Sequence, residues 1–228
     1  MEIINVDYKF GDAGNDWNYN YKDLPQDGDG LEDKLGFKPH SMWYDYPRTV
    51  DGISEKMIAL PERNNSNPHQ HKYSRTSVEE IRRIVLTYMR EGDFFLENCC
   101  GWSTFGSIAA IHGYNGIGID IWETALEYSR KQIQEVKGNV EILEMDGMDT
   151  DFSDEKFDYI YCNPPFMDVE IYSGKENDIS GSNDEEYNSN FEKLMMENYR
   201  ILKKDKTVEG AVGVMQRKNM TDGNAKEE

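Results

Sequence analysis

The sequence predicts an alternating α/β fold: an open, mostly parallel sheet with helices on both faces. Three observations predict it. Apolar runs of strand length recur at residues 94–96, 117–120, 140–145 and 157–162. Apolar residues at helical spacing lie between them, among them Leu126, Ile133 and Val136. The two kinds of segment alternate along the chain, and the last run, Phe157-Asp158-Tyr159-Ile160-Tyr161-Cys162, reads as a buried strand. Strands and helices in alternation build βαβ units, and these give parallel sheets.

The elements follow in order. Residues 1–72 are irregular, with Gly11-Asp12-Ala13-Gly14-Asn15-Asp16 and Asp27-Gly28-Asp29-Gly30 favouring turns. The second of these has a calcium-loop look, but no matching downstream Glu completes it, and no metal is expected. Trp43, Tyr44 and Tyr46 form an aromatic cluster, and residues 61–72 read as a linker. From Ser74 the pattern changes. Ser74-Arg75-Thr76-Ser77 before Glu79 and Glu80 is a helix N-cap signal, Ile81, Ile84, Val85 and Tyr88 continue at helical spacing, and Gly92 ends that helix. A strand, a Gly-bearing turn and a helix through Ile111 follow. Next come a second strand to Asp120, a helix over 124–136, a third strand and a fourth. Residues 167–190 are acidic and rich in Ser, Asn and Gly, and they read as a long mobile loop that orders over substrate. Helix returns over 191–202, and 207–214 supplies a fifth strand. The domain therefore spans 73–214, flanked by the extension 1–72, a candidate for substrate recognition, and a polar tail 215–228.

Bulk properties narrow the class. The 228 residues suffice for one substantial domain with an extension. No apolar stretch approaches the roughly 18–20 residues of a membrane span, and residues 1–7 lack a secretion signal. Cys99, Cys100 and Cys162 have no CxxC spacing, so a reduced, cytoplasmic protein without structural metal is expected. The formal charge of −19 runs against a polyanion partner, since phosphate contacts supply much of such affinity. Only residues 61–92 and 199–228 lean positive, which leaves Arg63, His69, His71, Lys72, Arg75, Arg82 and Arg83 as the polyanion-facing candidates. Each of them is also readable as part of a solvated charged face.

The chemistry concentrates at Asn163-Pro164-Pro165-Phe166, at the end of the fourth strand. The Asn side-chain oxygen and the Pro164 carbonyl can both accept hydrogen bonds from a planar amine. Proline fixes the backbone and removes donors, so these carbonyls stand unopposed. Phe166 then stacks on the flat group that carries the amine. A second constellation lies at the neighbouring strand ends. The turn after the first strand opens a helix, whose N-terminal amides favour a carboxylate or phosphate. Asp120 ends the second strand about 20 residues after that turn and can accept both hydroxyls of a ribose. Asp146-Gly147 ends the third, where an acid can receive an adenine amine. Each also has a structural reading: Gly101 and Gly106 as turn glycines, Asp120 as a helix cap, Asp146 as a turn cap.

With these residues in place, the chain resembles the S-adenosylmethionine-dependent amino-methyltransferases of DNA, particularly adenine-N6 enzymes, including phage-encoded ones. The likeness covers roughly residues 70–206. Asn163-Pro164-Pro165-Phe166 matches the family's DPPY-type catalytic motif. Glu97-Asn98-Cys99-Cys100-Gly101-Trp102-Ser103-Thr104-Phe105-Gly106 stands for the acid-Pro-Phe-x-Gly-x-Gly cofactor loop, with Ser103 where a second glycine is common. The resemblance implies a Rossmann-like class I methyltransferase fold. It implies catalysis by Asn163, Pro164, Pro165 and Phe166, and cofactor contacts from Ser74, Thr76, Glu97, Cys99, Gly101, Asp120, Ile121, Asp146, Gly147 and Asn163. It implies S-adenosyl-L-methionine as cofactor, DNA as substrate, and a restriction endonuclease or host DNA as partners. It also implies a recognition region, for which residues 1–72 and 167–190 are the candidates. Cytosine N4, an RNA base amine and a protein glutamine amide use similar corners. A non-catalytic acidic binding protein on this scaffold is the alternative from a different class.

Overall fold

The computed structural model describes residues 52–60, 75–165, 171–210 and 213–216. All of them belong to the unit Pro47–Glu228. Six strands form one sheet: β1 (Phe94–Asn98), β2 (Asn115–Asp120), β3 (Val140–Glu144), β4 (Phe157–Cys162), β5 (Leu202–Gly210) and β6 (Gly213–Gln216). Their spatial order is β3-β2-β1-β4-β5-β6. The first five run parallel and β6 runs antiparallel to β5. Among the described residues, α1 (Val78–Tyr88) precedes β1, and α2 (Thr104–Ile111), α3 (Glu123–Glu135) and α4 (Asp184–Ile201) join β1 to β2, β2 to β3 and β4 to β5. This is the Rossmann-like arrangement of the class I methyltransferase fold, with the sheet left open at β3. The order reverses between β1 and β4, so the loops leaving their carboxyl ends diverge and open a crevice there.

The register of β1 against β4 assigns the two faces. Phe95 lies opposite Tyr159 and Glu97 opposite Tyr161, whereas Leu96 lies opposite Ile160 and Asn98 opposite Cys162. The first set meets α2: Phe105 stacks on Tyr161 at 4.6 Å and on Tyr159 at 5.6 Å, and meets Phe95 edge-on at 5.4 Å. The second set packs with the end of α4, where Leu96, Ile117, Ile119 and Ile160 share a core with Ile201 and Leu202. Fully burying one such side chain contributes roughly 1.5–3 kcal/mol. Two layers therefore clamp the central strand, one an aromatic stack and the other a mixed core in which Phe152 and Phe157 join the aliphatic side chains. Among the described residues no helix is long and apolar enough to cross a membrane. All three cysteines are free thiols.

The helices start where side chains satisfy their first amides. Ser77 caps α1 by accepting from Glu80 N, and Glu79 and Glu80 complement the positive end of the helix. That helix stops at Tyr88, before Gly92; the glycine instead takes a left-handed turn (φ 87°) ahead of β1. Asn183 caps α4, its Oδ1 accepting from Glu185 N and Glu186 N at 3.1 Å each. The polar stretch 184–190, expected as loop, is thus the first two turns of a helix expected to begin at 191. Its buried Tyr187 stacks on Phe191 and packs with Leu194 and Cys162. The expected fifth strand over 207–214 is also redrawn. β5 follows α4 without a connecting loop, and the chain folds back after Gly210 so that 213–216 form β6. The pairing of β5 with β4 is irregular between Phe157 and Tyr159, which absorbs that abrupt start.

Residues 52–60 are held to this domain by Gln132 and Arg75, the latter donating to Ile58 O. Gln132 on α3 accepts from Ile58 N at 2.8 Å and donates to Lys56 O at 2.9 Å. The 3₁₀ helix Ser54–Lys56 is thereby tied to α3. The expected calcium-like turn, the aromatic cluster around Trp43, and the candidate basic residues Arg63, His69, His71 and Lys72 lie outside the described residues.

Gly116 sits opposite Phe95 in the β1–β2 ladder, and a Cβ there would stand 2.6 Å from the Phe95 ring. That ring is wedged against Phe105 and cannot retreat. Gly116→Ala is expected to lower unfolding stability by about 1–3 kcal/mol, measured by urea denaturation, although alanine is the better strand residue.

Candidate functional site

The crevice between β1 and β4 contains a cavity of about 310 Å³. Its floor is the turn from β1 into α2. Three residues of this turn have left-handed backbones: Cys99 (φ 59°), Gly101 (φ 48°) and Ser103 (φ 47°). For a residue with a Cβ that conformation costs roughly 1–2 kcal/mol. Ser103 occupies the place where the resembling family favours glycine, and its φ gives the reason. Glu97 offsets the strain. Its carboxylate accepts from Ser103 Oγ at 2.7 Å, from Phe105 N at 3.1 Å and from Gly106 N at 3.0 Å. Gly106 has no Cβ because one would approach Glu97 Oε2 to 2.9 Å. Glu97 thus borders the cavity, and these contacts bind the turn together. Burial pushes its carboxyl up to about 7, against the pull of these hydrogen bonds and with help from nearby Asp120.

Asp120, at the end of β2, accepts from Gly101 N at 2.8 Å and Trp122 N at 2.9 Å. It therefore acts as a local cap as well as a wall of the cavity. A carboxylate offers about four acceptor positions, so acceptor capacity remains for ligand hydroxyls. Burial raises its pKa, against the backbone amides. At the end of β3, Asp146 accepts from Met148 N through Oδ1 and from Asn177 Nδ2 at 2.8 Å through Oδ2. Gly147 sits close against Asn98, whose Nδ2 donates to Gly147 O at 3.1 Å and to Asn198 Oδ1 at 2.7 Å. That buried amide pair pins the third strand's exit loop to β1 and α4. Cys99 lies beside Cys162; their hydrogen bond, with burial, holds the Cys99 thiol well above the ordinary thiol range. It packs against the cluster of Cys162, Ile179, Tyr187 and Leu194.

Asn163, Pro164 and Pro165 line the same cavity from the end of β4. Asn163 Nδ2 donates to Thr76 Oγ1 at 3.3 Å. The structure therefore brings Thr76, Glu97, Cys99, Gly101, Asp120, Ile121, Asp146, Gly147, Asn163, Pro164 and Pro165 to one wall-to-wall site. Ser74 and Phe166 lie outside the described residues. Arg82 and Arg83 are each drawn to Glu79, at 2.8 and 2.7 Å, rather than splayed as a free basic face.

Sequence reasoning missed four contributors. Arg75 lines the cavity and donates to Ile58 O at 2.6 Å. Trp122 follows Asp120 by two residues and stands edge-on to Trp102, with centroids 5.2 Å apart. Tyr172 lies 5.2 Å from Trp122, and Asn177 reaches Asp146. The last two belong to residues 171–182, a turn organised by Asp178. Its Oδ2 accepts from Ser173 N and Oγ and from Gly174 N, and its Oδ1 from Ser180 N and Oγ. Burial opposes ionisation of Asp178, but these serine and backbone donors hold its carboxyl below the ordinary value. Only the position of Trp122, next to an acid at a strand end, carried a signal in the sequence.

The lining residues fit S-adenosylmethionine. Acids stand at two adjacent strand ends where a ribose and an adenine amine would be received. Arg75 is the one cation among the described lining residues, against Glu97, Asp120, Asp146 and Asp178. Such a field favours a ligand carrying a sulfonium and an ammonium. Residues 95–173 match the family model described as a methyltransferase domain. With the strand order, that match supports a class I methyltransferase that uses S-adenosylmethionine. No curated protein matches the chain. Among solved structures, the YcgJ protein of Bacillus subtilis is 19% identical, covering 57% of this chain and 48% of its own, at a TM-score of 0.44. A SAM-dependent methyltransferase of Methanosarcina mazei is 20% identical, covering 55% and 54%, at 0.42. The tRNA (uracil-54, C5)-methyltransferase of Pyrococcus abyssi, solved with S-adenosyl-L-homocysteine, is 25% identical, covering 42% and 24%, at 0.37. The chain spans about half the length of the first two. At these TM-scores none of them adds to what the strand order itself shows.

Glu97 makes stability depend on pH. Its carboxyl is raised in the folded chain from the ordinary 4.5 to about 7, so the folded state holds this proton more tightly than the unfolded state. The contribution is complete below pH 4.5 and is lost as pH rises through 7, by at most ~3 kcal/mol at about 1.4 kcal/mol per unit. Urea midpoints measured at pH 5, 6, 7 and 8 are expected to show this decline, and Glu97→Gln is expected to flatten it.

Proposed function

We propose that this protein transfers a methyl group from S-adenosylmethionine to the exocyclic N6 amine of adenine in DNA. The observation that carries the reading is one juxtaposition: the Asn163-Pro164-Pro165 corner borders the same cavity as Asp120 and Asp146. S-adenosylmethionine, when bound, supplies a methyl made electrophilic by its sulfonium. The chain's residues hold the two parties. Asp120 and Asp146 would receive the ribose hydroxyls and the adenine amine, and Trp122 and Tyr172 supply apolar walls. At the corner, Asn163 Oδ1 and the Pro164 carbonyl would each accept one N–H of the target amine. Both hydrogens being engaged, the nitrogen lone pair is directed out of the base plane, toward the methyl. A base in duplex DNA must leave its stack to reach this depth, at a cost of a few kcal/mol.

The formal charge of −19 favours a second reading, in which the same corner holds a protein glutamine amide. That substrate needs no cationic docking surface and presents the same planar NH2. The two separate in one assay: tritiated methyl transfer offered in parallel to DNA, RNA and a protein extract. Label is expected in DNA and, after nucleoside digestion, in N6-methyladenine. Label in protein alone would sink the DNA reading.

Asn163→Ala is expected to lower transfer by at least ~10²-fold, the scale seen when one preorganised polar contact to a reacting group is removed. Binding of S-adenosylhomocysteine, measured by calorimetry, should stay within about threefold, because Asp120 and Asp146 are untouched.

A further inference from the structure

An asparagine at a reaction corner has a problem of orientation. Its carboxamide accepts at one end and donates at the other, and the two ends are nearly the same size. Rotation by half a turn about its last side-chain bond exchanges them. An amine that must be held by its hydrogens gains only when Oδ1 faces it; with Nδ2 forward, donors face donors. The side chain itself does not choose between these states, so a neighbour must.

Thr76 is placed to choose. Its Oγ1 lies 3.3 Å from Asn163 Nδ2, across 87 positions of sequence. A threonine hydroxyl can donate as well as accept; as placed here Oγ1 accepts from Nδ2, and branching at Cβ restricts its rotamers. Both neighbours of Thr76 are anchored. Ser77 caps α1 through Glu80 N. Arg75 Nη2 donates to Ile58 O at 2.6 Å. Ile58 N in turn donates to Gln132 Oε1 at 2.8 Å, and buried Gln132 donates to Lys56 O at 2.9 Å. A run of hydrogen bonds thus leads from the middle of α3 through 56–58 and Arg75 to the residue that touches the corner. Nδ2 held at this acceptor puts Oδ1 on the opposite branch of the amide.

We propose that Thr76 is a positioning residue of the reaction corner: by accepting from Asn163 Nδ2 it fixes the amide orientation that presents Oδ1 to the target amine. The inference rests on the methyl-transfer reading for its purpose and not for its geometry. Thr76 was expected only as a cofactor contact; here it acts on the substrate side, through Asn163.

The test compares the full chain with Thr76→Val, Thr76→Ser and Asn163→Asp. The Asn163 side-chain NH2 resonances are assigned in ¹H–¹⁵N spectra by their disappearance in Asn163→Asp. In Thr76→Val these resonances are expected to shift and their exchange with solvent to quicken by about tenfold or more, as one hydrogen bond is lost. Thr76→Ser, which keeps the acceptor, restores them. Affinity for S-adenosylhomocysteine stays within about threefold in both. Turnover on the methylated substrate falls about 10–100-fold in Thr76→Val with KM unchanged and recovers in Thr76→Ser. Asn163 resonances that are identical in Thr76→Val and the parent overturn the proposal. So does a loss of cofactor affinity beyond about tenfold with those resonances unmoved, which would make Thr76 a cofactor ligand instead. A parent chain that methylates nothing, with the resonance changes intact, counts against the methyl-transfer reading and leaves the Thr76 contact standing.

Discussion

The site depends on one buried carboxylate. Glu97, next to the last residue of the central strand, gathers Ser103 Oγ, Phe105 N and Gly106 N around itself. Without it the first amides of α2 would lack partners, and Ser103 would have nothing to offset its left-handed backbone. With it, the turn closes tightly enough for Asp120 to reach Gly101 N from the next strand. Two acids on adjacent strands thus grip the two ends of one short turn. The cavity floor has its shape because that grip leaves the backbone little choice. The aromatic stack of Phe105 on Tyr159 and Tyr161 follows from the same geometry, because Phe105 enters the sheet face directly after the turn.

The electrostatic design of the cavity is lopsided, with four carboxylates to one guanidinium among the described lining residues. These acids are not equivalent. Glu97 is spent on the turn, and Asp178 is spent on the serines of its own segment. Asp120 and Asp146 each carry backbone obligations yet remain at strand ends where a ligand can reach them. A residue can therefore support the fold and serve the site at once. Of the two readings open in the sequence for Asp120, the capping one is observed, and its place in the cavity wall is compatible with the proposed ribose contact.

Much of this was legible in the sequence, for identifiable reasons. Strands leave short apolar runs between helical patterns, and β1 to β4 were found close to their observed limits. Acids and the Asn-Pro-Pro corner at strand ends were found because their places follow from the order of the sheet. What escaped were features whose signal is not periodic. The first turns of α4 are almost wholly polar, and among their described side chains only Tyr187 is buried, so the helix begins on a cap rather than on a pattern. β5 begins at Leu202-Lys203-Lys204 with no turn residue to separate it from α4. Tyr172 and Asn177 sit in a segment of Ser, Gly, Asn and acids, where composition says loop and nothing more. Arg75 read as part of a basic surface; its commitment to Ile58 O depends on a tertiary contact through Gln132 that no local pattern records.

Among the described residues the sheet ends at β3, with no strand paired to its outer edge. Two of its five residues, Glu141 and Glu144, are exposed carboxylates. An open parallel edge is a template on which another chain can add a strand, and charge is the common deterrent. Two copies brought edge to edge here would stack glutamate on glutamate. The acidity that makes this chain an awkward companion for a polyanion is, at this border, a deterrent to pairing with a second copy.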